Sequence, residues 1–242
     1  MRLDLYLYEN GLVLSRTEAK KFILEGAVTV NGKPISKPSY LVSESDEIFI
    51  DTSSKKYVSR GGLKLEAALD FFGVDVSSKK AIDIGASSGG FTDCLLQRGA
   101  EHVIAIDSGT AQLAESIRRS DRVTSVENYN ARYLNASDLE YVPEIAVMDV
   151  SFISAKLIIP AIYDCLSDCA DFICLIKPQF EVGRAFVGKG GIVKDVKARE
   201  KALKDVIEFA KGIGFINVGY IVSPIVGGDG NVEYLSYFKK KM

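Results

Sequence analysis

The sequence predicts an α/β fold, in which a Rossmann-like sheet of seven strands follows a small N-terminal α+β domain. Three observations lead to this prediction. From about residue 57, short apolar runs alternate with helical segments. Several of these runs are continuously apolar, as parallel strands covered on both faces require. The first 50 residues carry their own helix and turn signals, and 242 residues accommodate one large and one small domain.

Two helices are predicted at the N-terminus. The first covers residues 3–10 and ends at Gly11. The second begins with the capping-box sequence 15–18 and continues through Glu25, because a serine followed three residues later by a glutamate is typical of a helix start. Gly26 then supplies a helix-ending signal.

A small sheet follows these helices. Residues 28–30 and 33–35 are predicted strands that flank an Asn-Gly turn, and residues 47–50 close the sheet. The polar run 51–56 indicates a connection between domains. The predicted domains are residues 1–54, a linker over 55–59, and residues 60–242.

Seven apolar runs predict the strands of the large domain. A helix over 63–72 precedes them and ends at Gly73. The predicted strands are 81–84, 102–106, 123–126, 145–150, 172–176, 216–222 and 232–238.

Composition excludes some classes of protein. The net charge of −2 does not by itself indicate a nucleic-acid partner, so charge has to be considered locally. No uncharged apolar stretch reaches about 18 residues, and no secretion signal is visible, so we expect a cytoplasmic protein without membrane contact. The cysteines at 94, 165, 169 and 174 contain no C-x-x-C pair and are accompanied by one histidine. They predict buried free thiols and no metal site.

A glycine-rich turn connects the first of the seven strands to a helix. Gly85, Gly89 and Gly90 would let the backbone approach a ligand, since a side chain would block it. Asp83 ends the first strand and Asp107 ends the next, where an acid can accept hydrogen bonds from a ribose diol.

Three interpretations of this turn compete, besides a turn that binds no ligand. A dinucleotide site requires G-x-G-x-x-G, but position 87 is serine. The hydrolase motif G-x-S-x-G matches 85–89, but His102, at the start of the next strand, is badly placed to serve Ser87. A site for S-adenosylmethionine fits best. Its predicted residues are Asp83, Gly85, Ala86, Ser87, Ser88, Gly89, Gly90, Phe91, Asp107 and Asp149.

Two further charged residues, Asp149 and Lys177, end apolar runs. In open parallel sheets, ligands bind outside the carboxyl ends of the strands, so these side chains are expected near the glycine-rich turn. Glu233 would join them if the last strand is antiparallel. Lys64 lies in the first turn of helix 63–72, away from its apolar face, so exposure to solvent is the alternative for it. A ribose 2′-hydroxyl is a weak nucleophile that must be oriented and deprotonated, which a lysine held by carboxylates can do.

Five segments resemble the signature sequences of the TlyA family, which is often labelled hemolysin A. The segments are 59–65, 83–93, 149–154, 176–181 and 230–233. The resemblance covers essentially the whole chain. The family joins an RNA-binding domain like that of ribosomal protein S4 to an FtsJ-like ribose methyltransferase. In place of the linker tryptophan of characterised relatives, this chain has Lys56-Tyr57-Val58.

The resemblance implies a catalytic tetrad of Lys64, Asp149, Lys177 and Glu233. It also implies 2′-O-methylation of a cytidine in ribosomal RNA, with the large subunit as the expected target and ribosomal RNA or a ribosomal subunit as partner. The residues predicted to bind RNA are Arg2, Arg16, Lys20, Lys21, Lys33, Arg60 and Arg184.

Local charge alone leaves alternatives open. The basic residues of the second helix could form an ordinary solvated face, and loop 183–191 could either cover the substrate or simply connect two elements. A non-catalytic RNA-binding or ribosome-assembly protein with the same fold is the alternative function. A membrane-active hemolysin is the other, although neither a secretion signal nor a spanning segment supports it.

Overall fold

A computed structural model describes residues 1–13, 15–24, 26–43, 45–51, 56–227 and 230–241. The chain forms two compact units, one of residues 1–56 with 227–230 and the other of residues 57–226 with 231–242. Outside the described part lie the predicted helix end at Glu25, residues 52–55 of the polar run and the side chain of Lys21. Of the predicted linker 55–59, residues 56–59 are described. Tyr57 packs in the second unit, where it is buried.

The first unit contains the predicted helices and hairpin. Its elements are α1 (Leu3–Glu9), α2 (Arg16–Leu24), β1 (Val28–Val30), β2 (Lys33–Pro34) and β3 (Ile48–Ile50). The strands form an antiparallel sheet in the order β2-β1-β3. Ser15 Oγ accepts a hydrogen bond from the backbone N–H of Glu18 at 3.1 Å, as the capping-box sequence predicts.

A buried carboxylate organises the start of this unit. Asp4 is fully buried, and its two oxygens lie 2.9 Å from Arg2 Nε and from Arg16 Nη2. These two guanidinium groups, the first above all, lower the pKa of Asp4 to about 2 against the cost of burial. Arg2 and Arg16, predicted to bind RNA, therefore also stabilise the fold, while about half of each side chain stays exposed.

The second unit contains the seven-stranded sheet. Its helices are α3 (Gly61–Phe72), α4 (Gly90–Gln97), α5 (Glu115–Arg118), α6 (Ile159–Cys165), α7 (Pro178–Glu181) and α8 (Val196–Ile213). Its strands are β4 (Lys80–Ile84), β5 (His102–Ile106), β6 (Val123–Val126), β7 (Ile145–Met148), β8 (Asp171–Ile176), β9 (Phe215–Val222) and β10 (Tyr234–Lys240). The order is β6-β5-β4-β7-β8-β10-β9, and β10 runs antiparallel to both its neighbours.

Both faces of the central strands are covered, which explains their continuously apolar sequences. Alternate residues point to opposite faces. Ile82 belongs to a core cluster with Val206 of α8, whereas Ala81 belongs to a second cluster with Leu65 of α3 and Leu95 of α4. The predicted α/β fold class is confirmed, with helices on both sides of the sheet.

The strand order reverses between β4 and β7. From β4 the chain proceeds outward to β5 and β6, and it then returns to the other side of β4 as β7 and β8. A crevice forms outside the carboxyl ends of strands at such a point. The sheet therefore places the segments that follow β4, β5, β7 and β8 around one crevice.

Two predictions about histidine and cysteine have clear outcomes. Cys94, Cys165 and Cys174 are buried, but Cys169 is exposed in a turn, so the prediction of burial was wrong there. His102 starts β5 and contacts Thr124 Oγ1 at 2.9 Å, far along the strand from the turn that carries Ser87, which excludes the hydrolase interpretation.

Across the described residues, no helix is long and apolar enough to cross a bilayer, and no cluster of potential ligands could hold a metal ion.

Candidate active site

Two lysine–carboxylate pairs lie at the carboxyl edge of the sheet. Lys177 directly follows β8; its Nζ lies 2.6 Å from Asp149 Oδ1 and donates to Ser151 Oγ at 2.7 Å. Lys64 Nζ donates to Glu233 Oε2 at 2.5 Å. In the ladder between β10 and β8, Tyr234 lies opposite Ile176, so the residues Glu233 and Lys177 flank neighbouring strand ends. The antiparallel last strand, on which the prediction for Glu233 depended, is therefore present.

Lys64 is buried, and the alternative of a solvent-exposed lysine was wrong. Its side chain is 10% exposed and that of Glu233 is 3% exposed. Tertiary packing explains this burial, because α3 packs against α4 and β10 and the first turn of α3 therefore lies beside the end of the sheet. Burial of both charges costs free energy, and their short contact offsets it.

Removal of Lys64 should therefore destabilise the fold. Lys64→Met leaves the buried Glu233 without its partner, and we expect the free energy of unfolding to fall by about 3–5 kcal/mol. The double variant Lys64→Met/Glu233→Gln should recover a large part of this loss, because it removes the uncompensated charge. Denaturant unfolding of both variants tests this, and equal stability of the two would contradict it.

Asp83 is a buried carboxylate with an unused acceptor. Its Oδ2 accepts a hydrogen bond from Thr92 Oγ1 at 2.6 Å, whereas no described residue donates to its Oδ1. Burial, with smaller contributions from the charges of Asp149 and Asp107, raises the pKa of Asp83 to about 7 against the hydrogen bonds from Thr92. A cationic ligand group beside this carboxyl would satisfy the unused oxygen and favour its charged form.

The glycines of the turn are needed mainly for close packing within the protein. A Cβ on Gly85, which has a φ of 82°, would lie 2.4 Å from the carbonyl oxygen of Asp149. A Cβ on Gly90 would lie 2.2 Å from Ser59 Oγ and 3.0 Å from the nitrogen of Gly62. The sequence predicted that these glycines admit a ligand. In the structure they admit the segments that carry Asp149 and begin α3.

Asp107 organises the same turn. Its Oδ2 accepts from the backbone N–H of Ser87 and its Oδ1 from that of Gly109, both at 2.7 Å. Ser87 has a φ of 48°, in the left-handed region. A carboxylate offers about four acceptor sites, so two remain for a ligand diol.

A cleft of about 470 Å³ lies at this edge of the sheet; Asp149 and Ser151 line it, whereas Lys64, Asp83, Lys177 and Glu233 are not among its lining residues. This volume falls in the usual range for small-molecule sites. Among the predicted cofactor residues, Gly85, Ser87, Asp107 and Asp149 line it. Ala86 and Phe91 belong to the hydrophobic core instead, and Gly89 packs under Leu113 and Ile117.

Several lining residues escaped the sequence prediction: Ile106, Ser108, Gln112, Tyr129, Asn130, Ala131, Val150, Ser151, Phe152, Ile153 and Ile158. Some of them could have been found, because Tyr129 and Asn130 follow β6, another parallel strand that ends at the same edge. The aliphatic members give the cleft an apolar wall. Phe152 stands out because its side chain is almost fully exposed, at 91%, with a φ of 63° and its ring 5.2 Å from that of Phe180.

The predicted RNA-binding residues differ in their exposure. Lys20, Lys33 and Arg184 are exposed, and Arg60 is half-buried at the start of α3. Nothing in their positions contradicts a role in binding RNA, and that role stays a prediction.

Known proteins share both units of this chain. The FtsJ-like methyltransferase family matches residues 57–240, and the S4 domain family matches residues 1–48. Hemolysin A of Brachyspira hyodysenteriae is 44% identical over 98% of this chain and 99% of its own length. The 16S/23S rRNA (cytidine-2'-O)-methyltransferase TlyA of Mycobacterium tuberculosis is 41% identical over 98% of this chain and 89% of its own.

A solved structure agrees with these relatives. The structure named "Putative hemolysin from Streptococcus thermophilus" covers 100% of this chain and 88% of that chain, with 44% sequence identity and a TM-score of 0.80. Fold and site thus define a methyltransferase that carries an N-terminal S4 domain. The chain belongs to the TlyA (hemolysin A) family, which confirms the resemblance seen in its sequence.

Proposed function

We propose that this protein methylates the ribose 2′-hydroxyl of a cytidine in ribosomal RNA, with S-adenosylmethionine as the methyl donor. The observation that carries the proposal is the pair of lysine–carboxylate contacts at the strand ends beside the cleft. Relatives named as rRNA (cytidine-2'-O)-methyltransferases support the substrate class. The large-subunit RNA is the expected target, and the cytoplasm is the expected location of the reaction.

The cleft residues, together with the buried Asp83 two positions before Gly85 of the lining, fit such a donor. The unused oxygen of Asp83 suits the donor's ammonium group, and the free acceptor sites of Asp107 suit its ribose diol. Ile106, Val150 and Ile153 offer apolar surface for the adenine ring. When bound, the donor supplies a methyl group already activated by a sulfonium.

Lys177 has the geometry of the group that handles the nucleophile. Its Nζ forms an ion pair with Asp149 and donates to Ser151, so its third position remains for a ribose 2′-hydroxyl. In this role Lys177 acts as the amine: two N–H groups stay on Asp149 and Ser151, and the lone pair orients the hydroxyl and accepts its proton as the oxygen takes the methyl group from the sulfonium. Lys64 and Glu233 form the second pair at the same edge and hold α3 against the end of β10.

Two further features suit an RNA substrate. The exposed Lys20 and Lys33 of the S4 unit can meet phosphates, and folded RNA is recognised largely by its backbone and shape. Phe152 offers a bare aromatic face beside Ser151, on which a base can stack. Its left-handed backbone costs free energy, and such strain concentrates at functional sites.

The decisive experiment is methyl transfer from labelled S-adenosylmethionine to purified ribosomal subunits and to free ribosomal RNA. We expect incorporation at a cytidine ribose, located by mapping 2′-O-methyl groups in the product. No incorporation into either subunit or into free RNA, despite measurable binding of RNA, would instead support the non-catalytic RNA-binding function.

Gly85 provides a test of the turn. Gly85→Ala forces the new Cβ against the carbonyl of Asp149 and adds a side chain at a positive φ, so Asp149 must move away from Lys177. We expect methyl transfer to fall at least about tenfold. Gly212→Ala is the matched control, because its Cβ meets nothing within 4 Å, and its rate should equal that of the wild type. Equal rates for both variants would contradict the proposed packing role.

A further inference from the structure

The sheet alone does not set the position of Asp149 relative to Lys177. Strand β7 ends at Met148 and strand β8 ends at Ile176, and the ladder between these two strands extends only to Met148 and Cys174. The backbone N–H of Asp149 still donates to the carbonyl of Ile84 in β4 at 2.9 Å, but the ladder does not pair Asp149 with Lys177. Their contact therefore depends on how the two segments that follow, residues 149–155 and 177–181, are held together. This question concerns the same site as the proposed function and rests on it.

Glu181 connects these two segments. It is the last residue of α7, and its side chain is 2% exposed. One carboxylate oxygen accepts a hydrogen bond from Ser154 Oγ at 2.6 Å, and the other accepts one from the backbone N–H of Ala155 at 2.7 Å. Ala155 begins a single 3₁₀ turn that leads into α6, so Glu181 satisfies a backbone donor that has no partner within that turn.

The residues that contact Lys177 lie between the two points at which segments 149–155 and 177–181 are connected. Asp149 and Ser151 contact Lys177 at the start of the first segment, and Phe152 and Phe180 pack in the middle. Glu181 closes the far end. Without the hydrogen bonds of Glu181, segment 149–155 would be held to segment 177–181 by the contacts of Lys177 at its start and by the contact between the rings of Phe152 and Phe180.

Burying a carboxylate costs more free energy than burying an apolar side chain of similar size. Burial raises the pKa of Glu181, while the bonds from Ser154 and Ala155 oppose the shift. Lys156 Nζ, at 3.9 Å, gives only a loose ion pair. An apolar side chain could fill the same space without the cost of desolvating a charge. The two hydrogen bonds therefore explain why a carboxylate is present at position 181.

We infer that Glu181 is a positioning residue for methyl transfer, which holds segment 149–155 so that Asp149 and Ser151 meet Lys177. Its loss should slow the chemical step more than it weakens donor binding. Segment 149–155 contributes only part of the donor surface, through Val150 and Ile153, whereas Asp107 on the other side of the cleft does not contact Glu181.

The test compares two replacements of the same length. Glu181→Gln keeps one oxygen for Ala155 N–H and an amide that can bond Ser154 Oγ, whereas Glu181→Met keeps only the volume. The rate is measured in a single turnover with saturating S-adenosylmethionine and ribosomal RNA, and donor affinity is measured by calorimetry. Glu208→Met serves as the control, because Glu208 lies exposed on α8 and pairs only with Lys211 three residues on.

We expect Glu181→Met to lower the single-turnover rate at saturating donor at least about tenfold, with a smaller change in donor Kd, and Glu181→Gln to recover most of that loss. Ser154→Ala should give an intermediate rate and should add nothing to Glu181→Met, since both remove the same connection. If Glu181→Met does not fold, the single-turnover rate of Ser154→Ala alone tests the inference. A wild-type rate for Glu181→Met or for Ser154→Ala, or an equal loss in Glu181→Gln and Glu181→Met, overturns the inference. Absence of methyl transfer in the wild type would instead defeat the proposed function.

Discussion

Replacement of Lys177 by methionine is expected to lower the single-turnover rate of methyl transfer by roughly 10²- to 10⁴-fold, the range that a positioned general base contributes. Methionine keeps the length and apolar stem of the lysine but provides no donor or acceptor for the 2′-hydroxyl. The fold should survive, because Asp149 is 22% exposed and can be solvated once its partner is gone. This contrasts with Lys64, whose partner Glu233 is almost completely buried.

The measurement needs donor binding and folding to be followed in parallel. Lys177→Met should bind S-adenosylmethionine and RNA normally, and it should unfold cooperatively near the wild-type temperature. Lys201→Met is the matched control, since Lys201 is 76% exposed on α8 and pairs only with Asp205. A Lys177→Met rate within threefold of wild type would show that another group handles the nucleophile.

The strand-end residues of this site could be predicted because the sheet obeys a simple rule. Asp149 and Lys177 directly follow continuously apolar runs, and parallel strands that are buried on both faces end at one edge. The direction of the last strand is not encoded in its own alternation of residues, so the place of Glu233 depended on an assumption about topology. The structure supplies that topology through the ladder between β10 and β8.

Contacts between distant segments account for what the sequence did not reveal. The helical pattern of α3 puts Lys64 off the apolar face, and only the packing of that helix against the sheet buries it. The clash of a Gly85 side chain with the carbonyl of Asp149 likewise depends on a neighbouring strand. Glu181 stands in the sequence only as the last residue of segment 176–181, and no local pattern there indicates its hydrogen bonds with Ser154 and Ala155.

A second large effect is expected at Asp83, through both stability and donor binding. The folded-state pKa is raised by burial from 3.8 to about 7, so its contribution to stability is fully present below about pH 4 and is lost as the pH rises through 7. Asp83→Asn removes this dependence. Without ligand, the melting temperature of the variant relative to wild type should therefore be higher at pH 7.5 than at pH 5.5.

The affinity for S-adenosylmethionine should rise with pH over the range in which the contribution of Asp83 to stability falls. In the wild type the affinity for S-adenosylmethionine should increase from pH 5.5 to pH 7.5, because the carboxylate that meets the donor's ammonium group becomes ionised. Asp83→Asn should bind about 10- to 100-fold more weakly at pH 7.5, the loss of a hydrogen bond to a charged group, and with little pH dependence. Calorimetry and thermal unfolding at both pH values test this, with the exposed Asp168→Asn as control. A variant that is more stable at pH 7.5 yet binds the donor as tightly as wild type would show that the buried carboxyl serves the fold alone, and the cationic end of the donor would then have to be assigned to other acids of the cleft.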